Sequence, residues 1–98
     1  MRASIALVAA AAFAVALAPA AEARTCTNEV DFNVHITAAR GMTCAAAARD
    51  LRRYKGSIAT RFSTPGGFAC HRIEGSSLAG VWRCTKGTSR AYRFRFSD

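Results

Sequence analysis

The chain is poor in acidic side chains: six Asp and Glu face fourteen Lys and Arg, a formal net charge of +8 over 98 residues. Beyond the start of the chain its carboxylates (Glu29, Asp31, Asp50, Glu74, Asp98) are scattered singly. No pair is therefore available to share general-acid and general-base roles. The sequence contains no G-x-S-x-G, no H-E-x-x-H and no phosphate-cradling glycine loop, so the familiar hydrolase, zinc-protease and nucleotide-binding signatures are missing. Repeated βαβ units of a dinucleotide-binding fold do not fit in this length. C-x-x-C is absent as well, which removes a thioredoxin-type redox pair, a haem attachment site and zinc-knuckle spacing. These absences argue against an enzyme, against a cofactor and against a metal site.

Long apolar runs are scarce too, with one exception at the start. Met1-Arg2 precedes a run from Ala3 to Ala18 dominated by alanine, followed by Pro19 and Ala21-Glu22-Ala23. A positive charge, an apolar stretch, a helix-ending proline and small residues at the −3 and −1 positions are the parts of a secretory signal. The expected cut follows Ala23, making 1–23 a signal peptide and 24–98 the exported domain. A membrane anchor is the alternative, but the run is short, weakly hydrophobic and lacks a basic flank immediately after it. A lipid anchor on Cys26 would need a different lead-in than Ala23-Arg24-Thr25. The expected product has no transmembrane segment and is secreted, or resides in the periplasm or cell envelope. The leader removes one Arg and one Glu, so the mature part keeps the whole positive excess.

A domain this small rarely holds together on hydrophobic burial alone. Four cysteines, Cys26, Cys44, Cys70 and Cys84, all beyond the leader, read as two disulfides in an oxidising compartment. A metal site using Cys70 and His71 is the weaker reading. A catalytic thiol with His35 or His71 as base would leave an odd cysteine without a partner.

Val30 to Thr37 alternates apolar and polar residues, the pattern of a half-buried strand with Val30, Phe32, Val34 and Ile36 inward. Arg40-Gly41-Met42 reads as a turn and Thr43 as a helix N-cap. Cys44 to Lys55 then places Cys44, Ala47, Ala48 and Leu51 on one helical face, with Arg49, Asp50, Arg52 and Arg53 outward and Gly56 as the stop. Gly56 to Gly67 reads as a connecting loop with Ile58 and Phe62 tucked onto the core. Phe68 to Ile73, Ala79 to Thr85 and Ala91 to Phe96 read as an antiparallel meander. Phe68, Cys70, Trp82, Cys84, Tyr92, Phe94 and Phe96 share the inner face by parity. The fold class is α+β: one helix packed on a four-stranded, mostly antiparallel sheet in the order β-α-β-β-β, with two disulfides. Four thiols allow three pairings; this layout favours 44–70 with 26–84, and the other two stay open.

Arginine and aromatic residues interleave at Tyr92-Arg93-Phe94-Arg95-Phe96, an arrangement used by single-strand nucleic-acid binders. Alternation turns the rings inward, however, and export removes the protein from nucleic acid. Arg83, Arg93 and Arg95 remain on the outer face; with Arg49, Arg52, Arg53 and Lys55 of the helix they are candidate anion-binding residues. A solvated charged face is the plainer alternative.

The stretches G-M-T-C-A-A-A-A-R (41–49), G-G-F-A-C-H-R (66–72), W-R-C-T-K-G (82–87) and R-F-R-F (93–96) resemble a group of small exported four-cysteine bacterial proteins of actinobacterial type. Their shared pattern is a cysteine opening an Ala-Arg helix, a Gly-aromatic-x-Cys strand and a final Cys-x-x-Gly hairpin. Here the arginine falls one place later than in the usual spacing. The resemblance covers nearly all of the mature chain and implies fold and location, with no activity to transfer. The expected function is that of a basic, non-enzymatic module for an anionic polymer or an acidic protein at the cell envelope. The alternative is an inhibitor of a secreted protease, with Ser57 to Gly67 as its loop, or a toxin-like effector on membranes. Membrane disruption would require an exposed apolar patch beside the charge, which the inward parity denies.

Overall fold

A computed structural model describes residues 22–98. Residues 1–21 of the expected leader, the apolar run included, lie outside the described residues; of the leader only Glu22 and Ala23 are described. The elements are β1 (Arg24–Thr25), β2 (Glu29–Asp31), β3 (Val34–Arg40), α1 (Cys44–Arg52), β4 (Arg61–Ser63), β5 (Ala69–Gly75), β6 (Ala79–Lys86) and β7 (Arg90–Ser97). The strands form one seven-stranded sheet in the order β1-β3-β7-β6-β5-β4, with β2 also pairing β3, and each of these pairings is antiparallel. The expected class of one helix on an antiparallel sheet holds. The expected four strands are corrected to seven.

The additional strands have local causes. Val30 to Thr37 is not one strand. Asp31 pairs with Val34, so Phe32-Asn33 is a two-residue hairpin turn that folds β2 back onto β3; at its start the Asp31 carboxylate accepts a hydrogen bond from the Phe32 N–H at 2.7 Å. Phe32, expected inside, is 84% exposed at the tip of that turn. Alternation carried across a reversal looks like one long strand, because period-two spacing does not record a change of direction. Strands β1 and β4, of two and three residues, are too short to carry any period. The segment read as a connecting loop therefore contains β4, although Ile58 and Phe62 do pack against the core as expected.

Thr43 caps α1, its hydroxyl accepting from the Ala46 N–H at 3.0 Å. Gly41 precedes it at φ +70°, against the Ser89 carbonyl, where a β-carbon would collide. The helix ends at Arg52 rather than Lys55, with Arg53 as its C-cap and Arg49 and Arg52 in the last turn, where positive charge suits the carbonyl end. Ala47, Ala48 and Leu51 join Ile36, Trp82, Phe94 and Tyr92 in the core. Small alanines let the helix lie close to the sheet. Trp82 and Phe94 face each other across β6 and β7 and stack at 5.4 Å with planes 9° apart. The Trp82 indole N–H donates to the Ala59 carbonyl at 2.8 Å, anchoring the segment before β4.

The disulfides join Cys26 to Cys44 and Cys70 to Cys84, which corrects the favoured 44–70 and 26–84 arrangement. The reversal at Phe32 is the reason. It carries Cys26 back alongside the end of β3, where its N–H bonds the Thr37 carbonyl, and so to the end of the sheet where α1 begins. Parity places Cys70 and Cys84 on one face of the sheet, and register makes them direct cross-strand partners, with Cα atoms 4.0 Å apart.

Candidate functional site

Helix α1 covers one face of the sheet; among the described residues, no helix lies on the other. Side chains of alternate residues reach that open face, and the register arranges them in rows. Arg93 of β7 lies opposite Arg83 of β6, Arg83 opposite His71 of β5, and His71 opposite Arg61 of β4. Three guanidiniums and an imidazole thus cross four adjacent strands, continued on the other side by the small Ala38, paired with Arg93. Opposed side chains in such a row leave the backbone only about 5 Å apart, and like charges there are unfavourable. The next row toward the turn at Phe32 runs His35, Arg95, Val81, Glu74. On the other side, Arg40 pairs with Ala91.

Ala38 and Ala91 floor a cleft of about 460 Å³, walled by Arg40, Arg83 and Arg93; Ala23, the residue before the expected cut, also lines it, so cleavage there leaves the arginine walls and alanine floor and opens the cleft further. Ala91 is buried and Ala38 half-buried, so the concavity exists because two small residues sit among three long cations. Charge is also segregated along the strands. Arg24, Arg40, Lys86 and Arg90 gather at the end holding the β6–β7 hairpin, whereas Asp31, Glu74 and Asp98 lie toward the opposite end. The most exposed large apolar residues, Phe32, Ile73 and Leu78, lie at that acidic end. They neighbour carboxylates rather than the arginine row; of them Phe32 departs from its expected inward position.

The expected anion-binding residues do not form one surface. Arg83, Arg93 and Arg95 lie on the open face, Arg83 and Arg93 in one row and Arg95 in the next. Arg49, Arg52, Arg53 and Lys55 belong to the helix side, across the sheet. One of these is already engaged, the Arg52 guanidinium donating to the Glu29 carbonyl at 2.8 Å. Arg40, Arg61 and His71 join the row or its cleft, though none of them is among the anion-binding candidates read from sequence. The usable signal was that Arg61, His71, Arg83 and Arg93 each fall at an outward position of their strands; what was missing was the register that aligns them. The proposed inhibitor segment is tied down: Arg61–Ser63 pairs with β5, and Thr64 Oγ1 accepts from the Phe68 N–H at 3.2 Å.

A second polar feature lies inside. Asp50, expected outward on the helix, is only 7% exposed and accepts a 2.7 Å hydrogen bond from the Tyr92 hydroxyl. Gly66 lies so close to the Asp50 carboxylate that a β-carbon there would overlap it. Burial, then the hydrogen bond and the negative charge of Asp50, push the Tyr92 phenol far above its ordinary value of 10.0. In the native state this phenol keeps its proton, while the unfolded chain releases it near pH 10. The associated stability is therefore complete below about pH 10 and falls by about 1.4 kcal/mol per pH unit above it. Alkaline titration of Tyr92→Phe, monitored by circular dichroism, should remove that part of the loss, at the expense of about 1 kcal/mol near neutrality.

Among the described residues no group of three or more His, Cys, Asp or Glu side chains is placed to hold a metal ion, and no helix is long and apolar enough to cross a membrane. No known protein family, curated protein or solved structure matches the chain.

Proposed function

We propose that the mature chain is an exported, non-enzymatic module that binds anionic polymers or acidic proteins at or outside the cell envelope, and that it binds them through the open sheet face. The observation that carries this reading is the row Arg93-Arg83-His71-Arg61, in which none of the four aligned positions is a carboxylate. Repulsion within the row is relieved when a polyanion lies along it, so the arrangement is poorer alone than when occupied. The separation of charge along the strands orients the molecule in the field of such a partner. Two disulfides and an alanine-rich leader with an Ala-Glu-Ala cleavage site support export.

The test is elution from immobilised polyglutamate and polyphosphate over a salt gradient. Retention should fall steeply with salt. R83A/R93A should elute at distinctly lower salt than the parent, and R49A/R53A, which removes the same charge from the helix side, should shift far less. Retention indifferent to salt, or equal shifts for the two double variants, would refute the reading.

A further inference from the structure

We propose that the cleft walled by Arg40, Arg83 and Arg93 is a subsite for one phosphate or sulfate ester group. This rests on the reading above and narrows it from a charged face to a defined seat. Arg83 and Arg93 are direct cross-strand partners, so the backbone makes their side chains leave the same face side by side. Arg40 enters from β3, one row away, opposite Ala91. Three guanidiniums from three strands thus border one concavity of about 460 Å³, large enough for the ester group and part of the sugar or alcohol that carries it.

The shape of the anion follows from donor chemistry. Each guanidinium presents a planar fork of N–H donors. A carboxylate has two coplanar oxygens, and one fork engages both of them. A tetrahedral oxyanion has three or more oxygens pointing in different directions and is matched by several forks at once. The negative charge of the bound ester, one for a sulfate and up to two for a phosphate, also offsets the repulsion between Arg83 and Arg93. Ala38 and Ala91 make the seat possible, because a larger side chain at either position would fill the floor.

The experiment is an amide-resolved NMR titration of the oxidised exported protein at low salt, with inorganic phosphate, glucose 6-phosphate, a sugar sulfate, acetate, and vesicles containing phosphatidic acid. Saturable one-site shifts centred on Ala38, Arg40, Arg83, Ala91 and Arg93 are expected for the tetrahedral anions, with acetate about tenfold weaker or more. R83Q and R40Q should each weaken phosphate about tenfold, and A38L should do the same without altering charge. The soluble esters and the vesicles separate a free or polymer-borne ester from a lipid headgroup as its source. Diffuse, non-saturating shifts, acetate equal to phosphate, or unchanged affinity in both R83Q and R40Q would overturn the subsite. If A38L does not fold, the two glutamine variants decide. Loss of the subsite with salt-sensitive, Arg83- and Arg93-dependent retention on polyglutamate intact would leave the broader function standing; loss of both would reject both.

Discussion

Protein lacking both disulfides is expected to lose about half or more of its net stability and to unfold far below the oxidised form on heating or in urea. The bridges close sequence separations of 18 and 14 residues, and loop-closure entropy assigns each about 3 kcal/mol. Together they contribute about 6 kcal/mol, against a net stability of about 4 to 11 kcal/mol for a domain of this size. The single removals should differ in character. C26A/C44A detaches the two-residue β1 and the start of α1 from each other, so hydrogen-exchange protection should be lost first around the Cys26 amide, which bonds the Thr37 carbonyl. C70A/C84A removes two buried sulfurs from the core side of the β5–β6 pair, and adds a packing loss to the entropic one. Its urea midpoint should drop further. Non-reducing proteolysis followed by mass analysis should recover Cys26 linked to Cys44 and Cys70 to Cys84; a Cys44–Cys70 peptide from native material would contradict the fold.

Trp82→Ala should cost about 3–5 kcal/mol, a large share of the domain's net stability. The side chain has no exposure. It stacks on Phe94, meets Phe96 edge-on at 6.2 Å and lies beneath the Arg72 guanidinium, 5.9 Å from the ring centroid. Its N–H also holds the Ala59 carbonyl, so the alanine variant both opens a cavity and frees the segment ahead of β4. Trp82→Phe keeps most of the ring packing and loses that hydrogen bond, for about 1–2 kcal/mol. Thermal unfolding of the two variants checks the order. Equal losses would mean that the hydrogen bond, not the ring, dominates; a negligible loss for alanine would contradict the core assignment.

The buried pair formed by Asp50 and Tyr92 could not be recognised from spacing. Asp50 sits in a helical stretch beside Arg49, Arg52 and Arg53, where an acidic residue ordinarily belongs to a solvated face. Only the closeness of helix and sheet, set by Ala47 and Ala48, brings its carboxylate within reach of a phenol 42 residues away. The arginine row has a related history. Outward parity was legible at Arg83, Arg93 and Arg95 because strong alternation in Trp82-Arg83-Cys84 and in Tyr92-Arg93-Phe94-Arg95-Phe96 leaves no other choice. The partnership of these residues with Arg61, His71 and Arg40 was not legible, because it depends on the sliding of one strand against the next.

Local chemistry alone was enough for the helix start at Thr43, for the inward rings of β6 and β7, for the antiparallel meander and for the excess of cations. Each of these depends on residues a few positions apart, whose periodicity or capping acts before distant segments meet. The disulfide partners, the fold-back of β2, the exposure of Phe32, and the alignment of cations over an alanine-floored cleft came from packing. They depend on strand order, chain reversal and register, which bring together residues far apart along the chain and leave no periodic trace within any one segment.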